Sequence, residues 1–121
     1  MKSKTLILTL AFAFTFFVVK AQNPMEVASN VYKEVKVENP NCRVMRLEFK
    51  PGETAVMHSH PNHVFIVMTG GSLHIKNGDG TESDAVLKDG DVIYFDACTH
   101  EATNTGETTV TGMVVEMRHH H

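Results

Sequence analysis

Gly52-Glu-Thr-Ala-Val-Met-His58-Ser-His60-Pro61-Asn62-His63-Val-Phe65-Ile-Val-Met-Thr-Gly70 places three histidines within six residues, at the end of one extended run and the start of the next. Successive Cβ atoms of a strand alternate between faces, so His58 and His60 share a face with Cα atoms roughly 6.6 Å apart. Pro61-Asn62 is a turn signal, because proline pre-sets φ. The turn brings His63 back as the first residue of the following strand. Imidazoles placed this way converge on one ion, each nitrogen about 2.0–2.1 Å from a zinc-like metal. The stretch therefore offers three candidate ligands from two adjacent strands. The competing reading is a group of solvated loop histidines beside a proline turn.

Strand signals continue on both sides. Upstream, Val31, Val35 and Val37 recur close to period two among polar residues, Asn39-Pro40-Asn41 is a turn, and residues 44–49 form a run stopped by Lys50-Pro51-Gly52. Downstream, residues 72–76 lead into Asn77-Gly78-Asp79-Gly80, a strong hairpin signal. Residues 84–87, 92–95, 100–104 and 108–117 follow, separated by Lys88-Asp89-Gly90-Asp91, Asp96-Ala97 and Thr105-Gly106. No apolar stripe at helical spacing occurs, and residues 22–30 read as a polar N-terminal arm with Pro24. Eight or nine short strands bounded by Gly, Pro, Asn or Asp predict an all-β sandwich or barrel in one domain over residues 31–118. Residues 64–68 are apolar on both faces. With His63, Phe65 and Val67 inward, Val64, Ile66 and Met68 need cover from outside, which a homodimer partner or the N-terminal strand would supply.

The chain of 121 residues has room for a single domain. Lys2 and Lys4 precede an uncharged apolar run at residues 6–19, and Val19-Lys20-Ala21 places small or branched residues at the usual cleavage positions. Residues 1–21 thus read as a signal peptide and the protein as secreted or periplasmic; the run is short for a membrane helix, which wants ~20 apolar residues. Without Lys2, Lys4 and Lys20 the basic count falls from 11 to 8 against 14 acids, a net charge of −6. So acidic a domain, with no basic stripe, is a poor partner for nucleic acid or anionic membrane. Cys42 and Cys98 lie 56 residues apart, and sequence does not decide between a bridge and two free thiols. His119, His120 and His121 (residues 119–121) form a terminal histidine tail. His74, between Leu73 and Ile75, reads as solvent-facing.

His100 follows Gly90-Asp-Val-Ile-Tyr94-Phe95-Asp96-Ala-Cys98-Thr and precedes Asn104 by four residues. Taken with the first stretch, this pattern resembles the cupins. Their first motif runs Gly, five residues, His-x-His, three or four residues, Glu, six residues, Gly. Here Gly52, His58, His60 and Gly70 match, and His63 stands at the glutamate's place with one residue fewer before it. The second motif runs Gly, five residues, Pro-x-Gly, two residues, His, three residues, Asn. Gly90, His100 and Asn104 match with the histidine one residue early, while Asp96 and Cys98 replace the proline and the glycine.

The resemblance covers residues 44–115 and implies a double-stranded β-helix, a cupin-type jelly-roll barrel holding one divalent transition metal (Fe, Mn, Ni, Cu or Zn). His58, His60 and His100 carry over as ligands, and His63 as a substitution for the family's glutamate. An all-histidine set is chemically sensible for these ions. It leaves the full +2 charge at the site, which would attract an oxygen-rich or acidic small molecule and acidify bound water. Phe65, Tyr94 and Cys98 are the candidate pocket residues; of Tyr94 and Phe95 only one faces inward. Asp96 and Glu101 are the carboxylates nearest His100 in sequence. The resemblance implies either a metal-dependent enzyme, of dioxygenase type or an isomerase or lyase, or a non-catalytic binding or sensing module.

Overall fold

A computed structural model describes residues 22–118. The signal-peptide reading of residues 1–21 and the histidine tail at 119–121 lie outside the described residues. A helical turn, α1 (Pro24–Val27), precedes nine strands: β1 (Tyr32–Glu38), β2 (Cys42–Phe49), β3 (Thr54–His60), β4 (His63–Thr69), β5 (Gly71–Asn77), β6 (Glu82–Leu87), β7 (Val92–Phe95), β8 (Cys98–Asn104) and β9 (Val110–Met117). They form two antiparallel sheets in the orders β1-β2-β9-β4-β7 and β3-β8-β5-β6. No helix among the described residues is long and apolar enough to cross a membrane.

The turn signals sit where the chain reverses. Gly52 and Gly90 have φ of +85° and +88°, a left-handed backbone that a side chain would strain. The segment expected to be an arm forms α1 instead. Asn23 caps it by accepting a hydrogen bond from Met25 N at 3.0 Å, and Pro24 occupies its first turn, where a missing N–H costs nothing. Ala28 and Val31, just beyond, are fully buried.

Period two holds along the strands that wrap the interior. In β9, Val110, Gly112, Val114 and Glu116 are buried and the residues between them only half-buried. In β4, His63, Phe65 and Val67 point inward, as expected, while Ile66 and Met68 are exposed. β1 departs from expectation. Only its first residue, Tyr32, is buried, and Val35 and Val37 lie in the open on an edge strand broken by two register shifts. Their alternation marks no core face.

Strand register stacks the inward side chains in layers. In the first sheet, Arg43 lies opposite Glu116 and Glu116 opposite His63. The next inward layer is Met45, Val114 and Phe65, and the one after is Leu47, Gly112 and Val67. Gly112 is required there, since an added Cβ would fall 2.3 Å from Ile66 O. In the second sheet, His58 faces His100, and His60 faces Cys98. Ala102 faces Ile75, and Asn104 faces Leu73. Polar groups collect in one layer at one end of the barrel, and hydrocarbon fills the rest. Asn104 is the exception. It is 1 % exposed, and its side chain donates to Phe49 O and Thr108 O and accepts from Gly106 N, pinning the β8–β9 turn.

Candidate metal centre

Four histidines gather in the polar layer. His58 and His60 share a face of β3, and the antiparallel register lays His100 of β8 directly across from His58. Ring centroids of His58, His60 and His100 form a triangle with sides of 4.8, 4.8 and 5.4 Å, and the three rings stand at 74–87° to one another. They resemble the legs of a tripod. One nitrogen from each lies within 4.8 Å of the others, close enough that the three could hold a metal ion. His63 stands beside the tripod. Its ring stacks on His60 at 4.3 Å and on Phe95 at 5.0 Å, and it lies 6.5 Å from His100. The ligand-distance group is therefore three histidines, and His63 packs against a leg of it.

Hydrogen bonds fix which nitrogen each ring offers. His58 Nδ1 faces Val56 O at 2.8 Å, and His63 Nδ1 faces Pro61 O at 2.8 Å. A carbonyl only accepts, so both rings carry their proton on Nδ1 and present a bare Nε2. His60 Nδ1 lies 2.6 Å from Glu116 Oε2, and a neutral His60 likewise donates from Nδ1. The Nε2 atoms of His60 and His58 then face the Tyr32 hydroxyl, at 3.1 and 3.4 Å. One phenol proton serves one of these lone pairs at a time, and a buried acceptor without a donor costs ~1–3 kcal/mol. The cluster has more acceptor nitrogens than donors facing them, and a cation would satisfy them. On that count the residues fit a divalent ion.

Burial favours the neutral form of His58, His63 and His100. Desolvation lowers His58 to about 4 and His100 to about 3, with the neighbouring imidazoles adding to the effect, and burial also lowers His63. Neutral imidazole is the form that ligates.

The sequence reading missed three residues of the site: Tyr32, Arg43 and Glu116. Burial pushes the Glu116 carboxyl up, but the hydrogen bond from His60 and the charge of Arg43 outweigh it, leaving the group below its ordinary value. Arg43 Nε and Nη2 both reach Glu116 Oε1, at 3.0 and 2.9 Å, and its Nη1 reaches Asn23 Oδ1 at 3.1 Å. Glu116 thus orients His60 as a carboxylate partner orients a metal-bound histidine. A signal for it existed, since Glu116 shares inward parity with Val110, Gly112 and Val114. Tyr32 had no such signal, because its strand reads as solvated. The carboxylates nearest in sequence lie elsewhere: Asp96 is exposed in the link between β7 and β8, and Glu101 lies on the face of β8 opposite His100.

A cavity of about 420 Å³ opens from the histidines into the barrel. Phe65 and Cys98 line it. Tyr94 does not. It is 54 % exposed on the outer face of β7, and Phe95 is the member of that pair that turns inward. Cys98 Sγ lies 3.7 Å from His100 Nδ1, and both cysteines are free thiols.

An all-β barrel with a histidine tripod at one end of its cavity defines a class of small metal-site barrels. The chain belongs to the cupin family: the cupin domain matches residues 45–116. Among solved structures it is similar to a cupin domain from Bordetella pertussis (23 % identity over 71 % of this chain and 91 % of that one, TM-score 0.65). It is also similar to a double-stranded β-helix protein from Klebsiella pneumoniae (22 %, 83 % and 90 %, TM-score 0.60). A third is an RmlC-like cupin from Methanocaldococcus jannaschii (17 %, 85 % and 94 %, TM-score 0.59). At these identities the likeness shows the fold. No curated protein matches the chain.

Proposed function

We propose that this cupin is exported, holds one divalent transition metal through His58, His60 and His100, and binds a small molecule at that ion from the barrel cavity. The observation that carries the reading is the tripod of His58, His60 and His100, which brings one nitrogen of each ring within 4.8 Å of the others at the head of the cavity. Three-histidine sets with an open position are the pattern of catalytic rather than structural metal sites. When bound, the ion supplies Lewis acidity and a template for substrate. The protein's own groups orient and enclose. Glu116 and Arg43 fix the His60 ring, Phe95 and His63 form a stacked wall beside it, and the Tyr32 hydroxyl sits next to the His58 and His60 nitrogens. Oxygenase-type turnover, with O2 as oxidant and both its atoms entering the substrate, is the use this arrangement supports best. A second reading, binding without turnover, draws support from the cavity wall, which carries no carboxylate or lysine to act as acid or base.

Metal content tests the site. Purified wild type should carry one more equivalent of metal than His58→Ala or His100→Ala, the histidine tail contributing equally to all three. Equal content in all three removes the proposal. Oxygen uptake with a panel of small diketones, thiols and flavonols separates oxygenase from binder.

We also infer a homodimer. Ile66 pairs with Val92 and Val64 with Tyr94 across β4 and β7; Ile66, Met68, Val92 and Tyr94 are exposed, and β7 is a sheet edge. An apolar face beside an open edge invites a second copy. Val92→Lys should turn a dimer into a monomer in light scattering.

A further inference from the structure

We infer that the ligand of this site is an amphipathic small molecule: one oxygen-donor head that reaches the ion, joined to an uncharged alkyl or aryl body that fills the barrel. The inference rests on the metal-site reading for the head and on the cavity alone for the body. The charge left by an all-histidine site suggests an oxygen-rich or acidic partner. The cavity wall argues otherwise. Eleven of its eighteen lining residues have hydrocarbon side chains, and none has an ammonium, guanidinium or carboxylate.

The layering explains the split. Polar lining groups are confined to the histidine layer and to Asn77 and Ser83, and Ser83 is the exposed member of the set. Below the histidines the registers stack Phe65 and Val114, then Leu47, with Ile75 and Leu73 facing them from the other sheet. A sugar or a polycarboxylate placed there would leave each hydroxyl or charge without a partner, at ~1–3 kcal/mol per buried group. A hydrocarbon body loses nothing and gains ~0.8 kcal/mol per buried CH2. At about 420 Å³ the cavity falls toward the small end of ligand sites, which run ~300–1,000 Å³. That suits a short chain or a single substituted ring.

Alkyl hydroxamates of increasing length share one metal-binding head and differ only in the tail, so they isolate the body. Titrated calorimetrically into the zinc-loaded protein, affinity should rise about fourfold per methylene from acetohydroxamate to hexanohydroxamate. A flat series overturns the inference while leaving the metal site intact. The body is tested without metal by N-phenyl-1-naphthylamine, a neutral fluorophore, on chelator-treated protein. Enhanced, blue-shifted emission displaced by 1-octanol supports an apolar body site even if the metal reading fails, and unchanged emission counts against it. Ala85→Asp sets a carboxylate in the half-buried wall on edge strand β6. It should weaken hexanohydroxamate at least tenfold and leave acetohydroxamate unchanged; equal weakening of both overturns the inference. If that variant does not fold, the length series and the fluorophore decide.

Discussion

His74 and His100 sit on neighbouring strands, and their surroundings set them to opposite tasks. His100 is walled in by other imidazoles, and burial lowers it to about 3. His74 lies on the outer face of β5, with Nδ1 2.7 Å from Asp84 and Nε2 2.7 Å from Glu82, and these carboxylates raise it. Both nitrogens of His74 are committed to donating, so an imidazolium clasps the β5–β6 pair. The buried rings keep a lone pair free. The same side chain is a cross-strand cation in one place and a neutral, candidate ligand in the other. Partner type decides which, and partner type is a matter of which face of the sheet the residue occupies.

The contrast breaks first on metal. His58→Ala or His100→Ala should remove about one equivalent of bound metal by mass spectrometry, and His74→Ala should remove none. Retention in the first pair, or loss in the third, would erase the distinction. Glu116→Gln comes next. It keeps the shape but deprives His60 and Arg43 of a buried charge, so metal affinity should drop ~10–100-fold. Removing one partner of a buried pair also costs ~3–5 kcal/mol, read as a lower denaturation midpoint.

Acid sharpens the comparison in the metal-free protein. His58 and His100 bind protons in the folded state only near pH 4 and 3, whereas the unfolded rings titrate at about 6.5. Between those limits the unfolded chain holds more protons, so stability should fall as pH drops from about 6.5 toward 4. His74 has the opposite sign. Its contribution is present below its unfolded value and is lost as pH rises through the raised folded one. Because the pair is solvent-exposed, Asp84→Asn should give the smallest effect of all, a slight loss of thermal stability that vanishes in high salt.

Most of the strands were legible because their causes are local. Alternation and the glycine, proline and asparagine breaks locate β1 through β9; spacing groups His58, His60 and His63, and the cupin resemblance adds His100. The exported leader was read from sequence and lies outside the described residues. Two of the expectations that failed show why. Tyr94 and Phe95 compete for one inward position, and the pairing of β7 with β4 lays Phe95 against His63. Residues 23–30 looked like an arm because a single helical turn has no periodicity to detect, although the Asn23-Pro24 cap was in view.

The sequence by itself determined the all-β barrel and the cupin resemblance, and it named His58, His60, His63 and His100 as candidate metal ligands, since each depends on residues close together or on a fixed spacing. Only the tertiary structure decided that His63 stacks beside the tripod, that Glu116, fifty-six residues on, orients His60 with Arg43 holding it in place, that the Tyr32 hydroxyl faces the His58 and His60 nitrogens, and that the cavity beneath is mostly hydrocarbon. Those facts follow from the register of β2, β4 and β9 and from which strands face one another across the barrel. Register is fixed by the packing of the whole core, and no local run of residues encodes it.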